Sequence, residues 1–317
     1  MQYVYGPVLS RRLGRSLGID PIPLKTCNLN CVYCQLGPTP GGSWTEAVYP
    51  PLPAVLMEVG EALATAQDLD FVTISGSGEP MLYGDIAELI RAIKGMTQAP
   101  VAVVTNGTLL TSQTAREALY QADVVLPSLD AADTRTFNRI VRPPGGLSVE
   151  QVIAGLATFR RHFAGQIWLE IMLVRGLNDQ PEQLERLKDA MDLILPDRIH
   201  LNTVVRPPAV ESALPIPPER MAAIAAYFGS DCEVIAECPG SEPRPSGEAT
   251  AARLAEIVTR HPVTLSELAV TLGVSSSLVA MRVAELMAQG VIESRLHHGR
   301  LYYVANRAND GLVGLKP

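Results

Sequence analysis

The sequence predicts an α/β chain: a partial (β/α)6 TIM-like barrel followed by a small winged helix-turn-helix domain. Three observations carry this reading. Short strands that are apolar throughout alternate with helix-period segments about six times, the pattern of a parallel sheet buried on both faces. A stretch rich in proline and glycine, "PGSEPRPSGEA" at 239–249, interrupts the alternation and reads as a linker. The alternation alone suits an α/β barrel or a doubly wound sheet. Beyond the linker the pattern changes to three helices and a hairpin. At 317 residues the chain has room for one large domain and one small one. The expected division is 1–238 for the barrel, 239–249 for the linker and 250–317 for the small domain.

The elements follow in order. "SLGID" (16–20) is the candidate first strand. "DFVTIS" (70–75), "PVAVVTN" (100–106), "DVVLPSLD" (123–130), "IWLEIMLV" (167–174) and "RIHLNTVV" (198–205) continue the series. Helix-period segments fall roughly at 51–67, 83–95, 112–120, 148–163 and 181–194. In such a fold ligands gather at the carboxyl ends of the strands. After the linker, "ATAARLAEIVTRHP" reads as a helix ended by His261-Pro262. "TLSELAVTLG" starts at Thr264 with Glu267 as a capping box and stops at Gly273. "SSSLVAMRVAELMAQG" is a longer helix with Val279, Val283 and Leu286 on one face, and "VIESRLHHGRLYYVA" reads as two strands about a Gly-containing turn.

Composition excludes several classes. Apolar residues make up 47% and charged ones 19%, an ordinary globular balance. No apolar run reaches membrane-spanning length, and the start lacks a signal-peptide core, so the expectation is a soluble cytoplasmic protein with no membrane partner. Net charge is −7. Residues 1–249 hold 19 Lys+Arg and 28 Asp+Glu, and residues 250–317 hold 7 and 5. Bulk charge therefore does not demand a nucleic-acid partner.

"KTCNLNCVYCQLG" (25–37) packs Cys27, Cys31 and Cys34 into a C-x3-C-x2-C pattern with no fourth ligand nearby. Four chemistries compete. A structural zinc site wants four closed ligands, and a catalytic zinc site usually draws its three from separate elements. Inert buried thiols need no such spacing. An iron–sulfur cluster on three thiolates leaves one iron open to a ligand. The clustering of three of the five cysteines argues against a disulfide framework.

The motif, with Tyr33 ahead of the third cysteine, resembles the signature of the radical S-adenosylmethionine (radical SAM) superfamily. The resemblance implies a [4Fe-4S] cluster on Cys27, Cys31 and Cys34, with S-adenosylmethionine chelating the open iron. It implies reductive cleavage to a 5′-deoxyadenosyl radical that abstracts hydrogen, and a reductant such as flavodoxin or ferredoxin. "SGSGEP" (75–80) looks like the loop that meets the cofactor's methionine ammonium, through Gly76, Ser77, Gly78 and Glu79, with Ser77 in place of the family's second glycine. By the same resemblance Asn106, Ser128 and Asp130, at later strand ends, are suited to the ribose or carboxylate, although such residues equally cap helices and turns. Glu170 lies inside an apolar strand and so must face a polar cavity or be paired; Asn202 is a weaker instance of the same kind.

Arginines form a second pattern. "IVRPPGG" (140–146) and "VVRPPAV" (204–210) place guanidinium groups on stiff backbone, and "SRRLGRS" (10–16) adds more. Arg11, Arg12, Arg142, Arg175 and Arg206 are candidate anion contacts around the barrel mouth, against the alternative of surface ion pairs. With the N-terminal block "GPVLSRRLGRSLGIDPIPLKTCNLNCVYCQLG", the second of these segments resembles iron–sulfur oxidoreductases distantly akin to wyosine-type tRNA modification enzymes, over about residues 1–235. Cys232 and Cys238 are read as quiet core thiols, a redox pair or a carrier. The third helix of the small domain offers one basic side chain, Arg282, while Arg295, His297, His298 and Arg300 make a small basic patch at the wing. The small domain thus stands as a dock for RNA, for a peptide or protein, or for a second protomer. The readings carried forward are a radical enzyme acting on RNA, the same chemistry on a peptide, protein or small molecule, and a cluster-bearing redox-sensing regulator.

Overall fold

The structure is a computed structural model that describes residues 1–39, 41, 44–236 and 250–306. The expected linker, Cys238 and residues 307–317 lie outside the described residues.

Eight strands form one sheet in consecutive order: β1 (Val4–Ser10), β2 (Gly14–Ile19), β3 (Phe71–Ile74), β4 (Val101–Thr105), β5 (Val124–Pro127), β6 (Gln166–Leu173), β7 (Arg198–Thr203) and β8 (Cys232–Val234). β1 is antiparallel to β2, and every later pair is parallel. A doubly wound sheet reverses its strand order at a switch point; this one never does, which is the order of a barrel, open here between its edges β1 and β8. Strand pairing between β5 and β6 lapses at Leu126 and Pro127 and resumes as a single bridge from Ser128 to Glu170, because proline brings no N–H to the ladder.

The helices are α1 (Leu52–Thr65), α2 (Ile86–Met96), α3 (Gln113–Ala118), α4 (Thr134–Ile140), α5 (Val149–His162), α6 (Pro181–Ile194) and α7 (Pro218–Phe228). Their starts are written locally. Ser148 and Gln151 form both bonds of a capping box at α5, and Pro181 opens α6, whose Leu184, Leu187, Met191 and Ile194 make one buried stripe. The helices cover the outer face of the sheet. On the inner face Leu13, Ala102, Val124, Leu126 and Trp168 plug the amino end of the lumen. Towards the carboxyl ends the buried residues turn polar, with Thr73, Glu170, His200 and Asn202. Strand order and the polar rim position everything that follows.

After residue 250 come α8 (Ala251–Arg260), α9 (Leu265–Leu272), α10 (Ser276–Ala288) and a hairpin of β9 (Ile292–His297) and β10 (Arg300–Ala305). Thr264 and Glu267 form a capping box at α9, and Gly273 ends that helix at φ 64°. α9 and α10 meet at 116°. This unit has its own core, including Leu254, Ile257, Leu268, Val279, Val283, Leu286 and Ile292. It also lies across the mouth of the barrel. Arg253 Nη2 donates to Gly6 O (3.1 Å), Arg260 Nη2 to Gln2 O (2.8 Å) and Tyr302 Oη to Val205 O (2.7 Å), so it reaches from β1 to the segment after β7. No single helix among the described residues is long and apolar enough to cross a membrane.

Candidate functional site: a cysteine loop under a roofed chamber

The loop after β2 carries Cys27, Cys31 and Cys34, all half-buried and unbridged. Two tight turns shape it, with Cys34 N donating to Cys31 O (3.1 Å) and Gly37 N to Cys34 O (3.0 Å). The end of α4 supports it, since Asn30 N and Val32 N donate to Val141 O and Ile140 O. Burial pushes the Cys27 thiol up to about 11 and that of Cys31 well above its ordinary value, with nearby Glu79 and Asp130 adding to the effect. Such thiols keep their protons unless a metal replaces them. No three His, Cys, Asp or Glu side chains among the described residues converge as the ligands of one ion would. A cluster binds each thiolate at a different iron, so its ligands stand further apart than those of a single zinc.

The loop after β3 is fastened to the cysteine loop. Lys25 N donates to Ser77 O (2.7 Å) and Glu79 N to Thr26 O (2.9 Å). A Cβ on Gly78 would sit 1.8 Å from Thr26 O, and one on Gly76, at φ 156°, would sit 1.9 Å from Asp20 Oδ1. The two glycines are therefore demanded by the packing of one loop on the other, a reason apart from any approach to a ligand. Asp20 is the residue that the sequence did not single out. It is buried, and it accepts from Ser77 N (3.1 Å) and Ser77 Oγ (2.7 Å). Ser77 thus points its side chain at Asp20. Glu79 is buried and accepts from Met81 N (3.0 Å), Thr105 Oγ1 (2.6 Å) and Asn106 N (2.7 Å). Its carboxylate ties this loop to the end of β4.

Further round, Asn106 donates through Nδ2 to Asn28 Oδ1 (2.8 Å) and accepts from Thr108 Oγ1 (2.6 Å). Tyr33 Oη donates to Asp130 Oδ2, and Asp130 Oδ1 accepts from Met172 N (2.8 Å). Burial pushes Asp130 up to about 7. Glu170 is gripped by Arg12 through Nε and Nη2 and by Asn202 Nδ2 (3.0 Å). Burial alone would raise its carboxyl; the guanidinium more than offsets this and holds it down at about 2. The expected cavity-facing or paired carboxylate is a paired one. Asp130 and Glu170, both buried and both engaged, brace the rim from within the protein.

A cavity of about 470 Å³ opens over these loops. Cys27, Gly76, Gly78, Glu79, Asn106 and Ser128 line its floor. Its roof is the C-terminal unit, through Arg260, His261, Ser266, Glu267 and Thr271. Arg11, Arg12 and Arg206 stand at the wall. Of the five arginines expected at the rim, Arg142 and Arg175 are exposed and do not line this cavity. The sequence missed the fourth guanidinium at the mouth. Arg260 approaches Asp20 Oδ2 at 3.5 Å and lies 4.7 Å over the Tyr5 ring. Its only sequence signal was a basic residue at a helix end, which also fits ordinary dipole chemistry. A second cavity of about 320 Å³ lies outside the first, between Gln35–Pro38, Pro207, Pro208 and the hairpin, and Gln35 and His261 line both.

The hairpin meets the barrel through His297, whose Nε2 lies 3.2 Å from Val204 O, and Tyr302, while Arg295, His298 and Arg300 stay exposed. The outer face of α10 presents Ala280, Met281, Ala284 and Met287, and its one arginine, Arg282, pairs with Glu285 (2.8 Å). Cys232 is half-buried in β8, its thiol pushed up to about 12 by burial.

Comparison with known proteins gives the same picture. Residues 22–201 match the family model described as the Radical SAM superfamily. The chain is 37% identical over 306 residues to a Brachyspira hyodysenteriae protein named GTPase Obg, covering 96% of this chain but 45% of that protein, so it spans less than half of that relative. It is 37% identical over 212 residues to a UPF0026 protein of Synechocystis, covering 67% of this chain and 78% of the relative. Among solved structures, Streptococcus suis SuiB bound to precursor peptide SuiA superposes with a TM-score of 0.54 at 15% identity, over 76% of this chain and 51% of that one. A radical SAM methyltransferase from Sphaerobacter thermophilus gives 0.53 at 17% identity, over 69% and 65%. At these identities the structures speak for the fold alone.

Proposed function

Because the chain belongs to the radical SAM superfamily, we propose that it is an enzyme cleaving S-adenosylmethionine reductively in the chamber beneath its own C-terminal unit, with a [4Fe-4S] cluster on Cys27, Cys31 and Cys34. The residues present fit that group: three thiols on one loop, set apart, with Cys27 opening into a cavity that also takes strand-end polar groups. When bound, the cluster and S-adenosylmethionine supply a 5′-deoxyadenosyl radical able to abstract hydrogen from a substrate. The chain's own residues do the rest. Glu79 and Asp20 hold the glycine loop in place against the cysteine loop. Asn106 and Ser128 offer polar atoms to the ribose or carboxylate of the cofactor. Tyr33 and Asp130 brace the cysteine loop from below.

The single observation that carries the choice of substrate is the roof. We read the C-terminal unit as a winged helix-turn-helix that closes the chamber, and the substrate as a small molecule or a narrow peptide segment. The C-terminal unit lines one side of that chamber and narrows the approach to its floor. RNA is the weaker reading: α10 offers a Met- and Ala-lined face, and a nucleic-acid reader wants basic or amide side chains there. Of the basic patch on the hairpin, His297 is engaged with the barrel and Arg295 is paired with Glu293. A reductant such as flavodoxin or ferredoxin completes the reaction.

The test is anaerobic reconstitution with iron and sulfide, addition of dithionite and S-adenosylmethionine, and chromatography for 5′-deoxyadenosine, with Cys31→Ala as control. 5′-Deoxyadenosine from the wild type alone is the expected result. A cluster that assembles without any cleavage would favour the regulator over the enzyme. Tight, salt-sensitive RNA binding by the reconstituted chain, absent from an unrelated acidic protein, would overturn the substrate reading.

A further inference from the structure

The chain has four lysines among its 26 basic residues, and one of them, Lys25, is nearly buried inside the cysteine loop. Its backbone is left-handed, at φ 63°, a conformation that non-glycine residues seldom adopt. That turn lets the main chain donate to Ser77 O while the side chain curls back along its own loop. There Nζ donates to Gly37 O at 2.5 Å and lies 3.3 Å from Cys34 Sγ. The other thiols have different company. Cys27 Sγ is 3.4 Å from Leu29 N and 3.8 Å from Asn106 Nδ2, and Cys31 Sγ is 3.9 Å from Val141 O, all neutral partners. A cation touches only the third sulfur.

We propose that Lys25 is a potential-setting residue: its ammonium, held against Cys34 Sγ, makes the cluster easier to reduce. The inference rests on the reading of Cys27, Cys31 and Cys34 as cluster ligands. Reduction by one electron adds one negative charge to the cluster–thiolate assembly, with no proton needed. A fixed positive charge in contact with a ligating sulfur favours that more negative state, and hydrogen bonds to cluster sulfurs act in the same direction.

The experiment is a dithionite titration of the reconstituted full chain, followed by electron paramagnetic resonance of the reduced cluster, for wild type, Lys25→Met and Lys25→Arg. At the wild-type midpoint, Lys25→Met is expected to lower the reduced-to-oxidised ratio roughly tenfold, which is 59 mV for one electron. Lys25→Arg should recover most of it. An unchanged midpoint in Lys25→Met, at equal iron content, overturns the proposal. Should Lys25→Met hold no cluster, Lys25→Gln, which keeps a neutral donor for Gly37 O, is titrated in its place. If both neutral variants lose the cluster while Lys25→Arg keeps it at the wild-type midpoint, Lys25 is a loop staple and the proposal fails. A wild type that assembles no cluster refutes the cluster reading itself, a result distinguishable from all of these.

Discussion

Removing the guanidinium of Arg12 should unfold the barrel more readily than any surface change of equal size. Arg12 Nε and Nη2 both meet the Glu170 carboxylate at 2.5 Å, and the Glu170 side chain is only 6% exposed. The surroundings take that carboxyl from an ordinary 4.5 to about 2. At about 1.4 kcal/mol for each tenfold in proton affinity, this favours the charged form by about 3 kcal/mol. The carboxyl is held low in the folded state, so its contribution is present above about pH 4.5 and lost as pH falls towards 2. In Arg12→Met the burial remains, opposed by Asn202 and by the charge of Arg11 alone, and breaking a buried pair by removing one partner costs about 3–5 kcal/mol. Urea unfolding followed by the emission of Trp168, which is buried in the same lumen, measures this at pH 7. The double variant Arg12→Met/Glu170→Leu should lose less than the two singles together, by on the order of 2 kcal/mol. A loss under about 1 kcal/mol in Arg12→Met, or single effects that simply add, would refute the account of Glu170 as a charged, paired strut.

Three further expectations follow from the same geometry. Gly78→Ala places a Cβ 1.8 Å from Thr26 O, so iron content after reconstitution should fall well below wild type; Gly60→Ala in α1 meets nothing within 4 Å and should stabilise by about 0.5–1 kcal/mol in thermal unfolding. Arg260→Met removes the approach to Asp20, so amide exchange in residues 75–80 should speed up several-fold by mass spectrometry; protection equal to wild type would show that the roof does not steady that loop. Cys27→Ala and Cys34→Ala should each bind substantially less iron than wild type, and full iron content in either would remove it from the ligand set.

The parallel strands were legible because burial on both faces leaves only apolar residues, as in "VAVVT" and "VVLP", which became β4 and β5. α6 was read to its ends, since Pro181 starts it and its stripe is regular. β1 was not, because a glycine and a proline interrupt its pattern, and β8 is too short to show a period. α4 and α7 escaped for want of length or of a strong apolar stripe. At the site, the cysteine spacing and the strand-end polar residues stood out as local patterns. Asp20, Tyr5 and Arg260 did not, because their meaning lies in contacts between residues as much as 255 positions apart. Nothing in a single helix tells that its last arginine will meet a carboxylate at the end of β2.

The close seating of residues 75–80 on residues 25–37 has a consequence for affinity. Three contacts join the two segments: Lys25 N to Ser77 O, Glu79 N to Thr26 O, and the bare approach of Gly78 to Thr26. Whatever rigidifies one segment lowers the ordering cost of the other. Metal loading and S-adenosylmethionine binding are then thermodynamically reciprocal: each should tighten the other by the same factor. Protein lacking its metal should bind S-adenosylmethionine poorly for a reason beyond the missing coordination bonds. By the same linkage, S-adenosylmethionine should slow the loss of iron to a chelator.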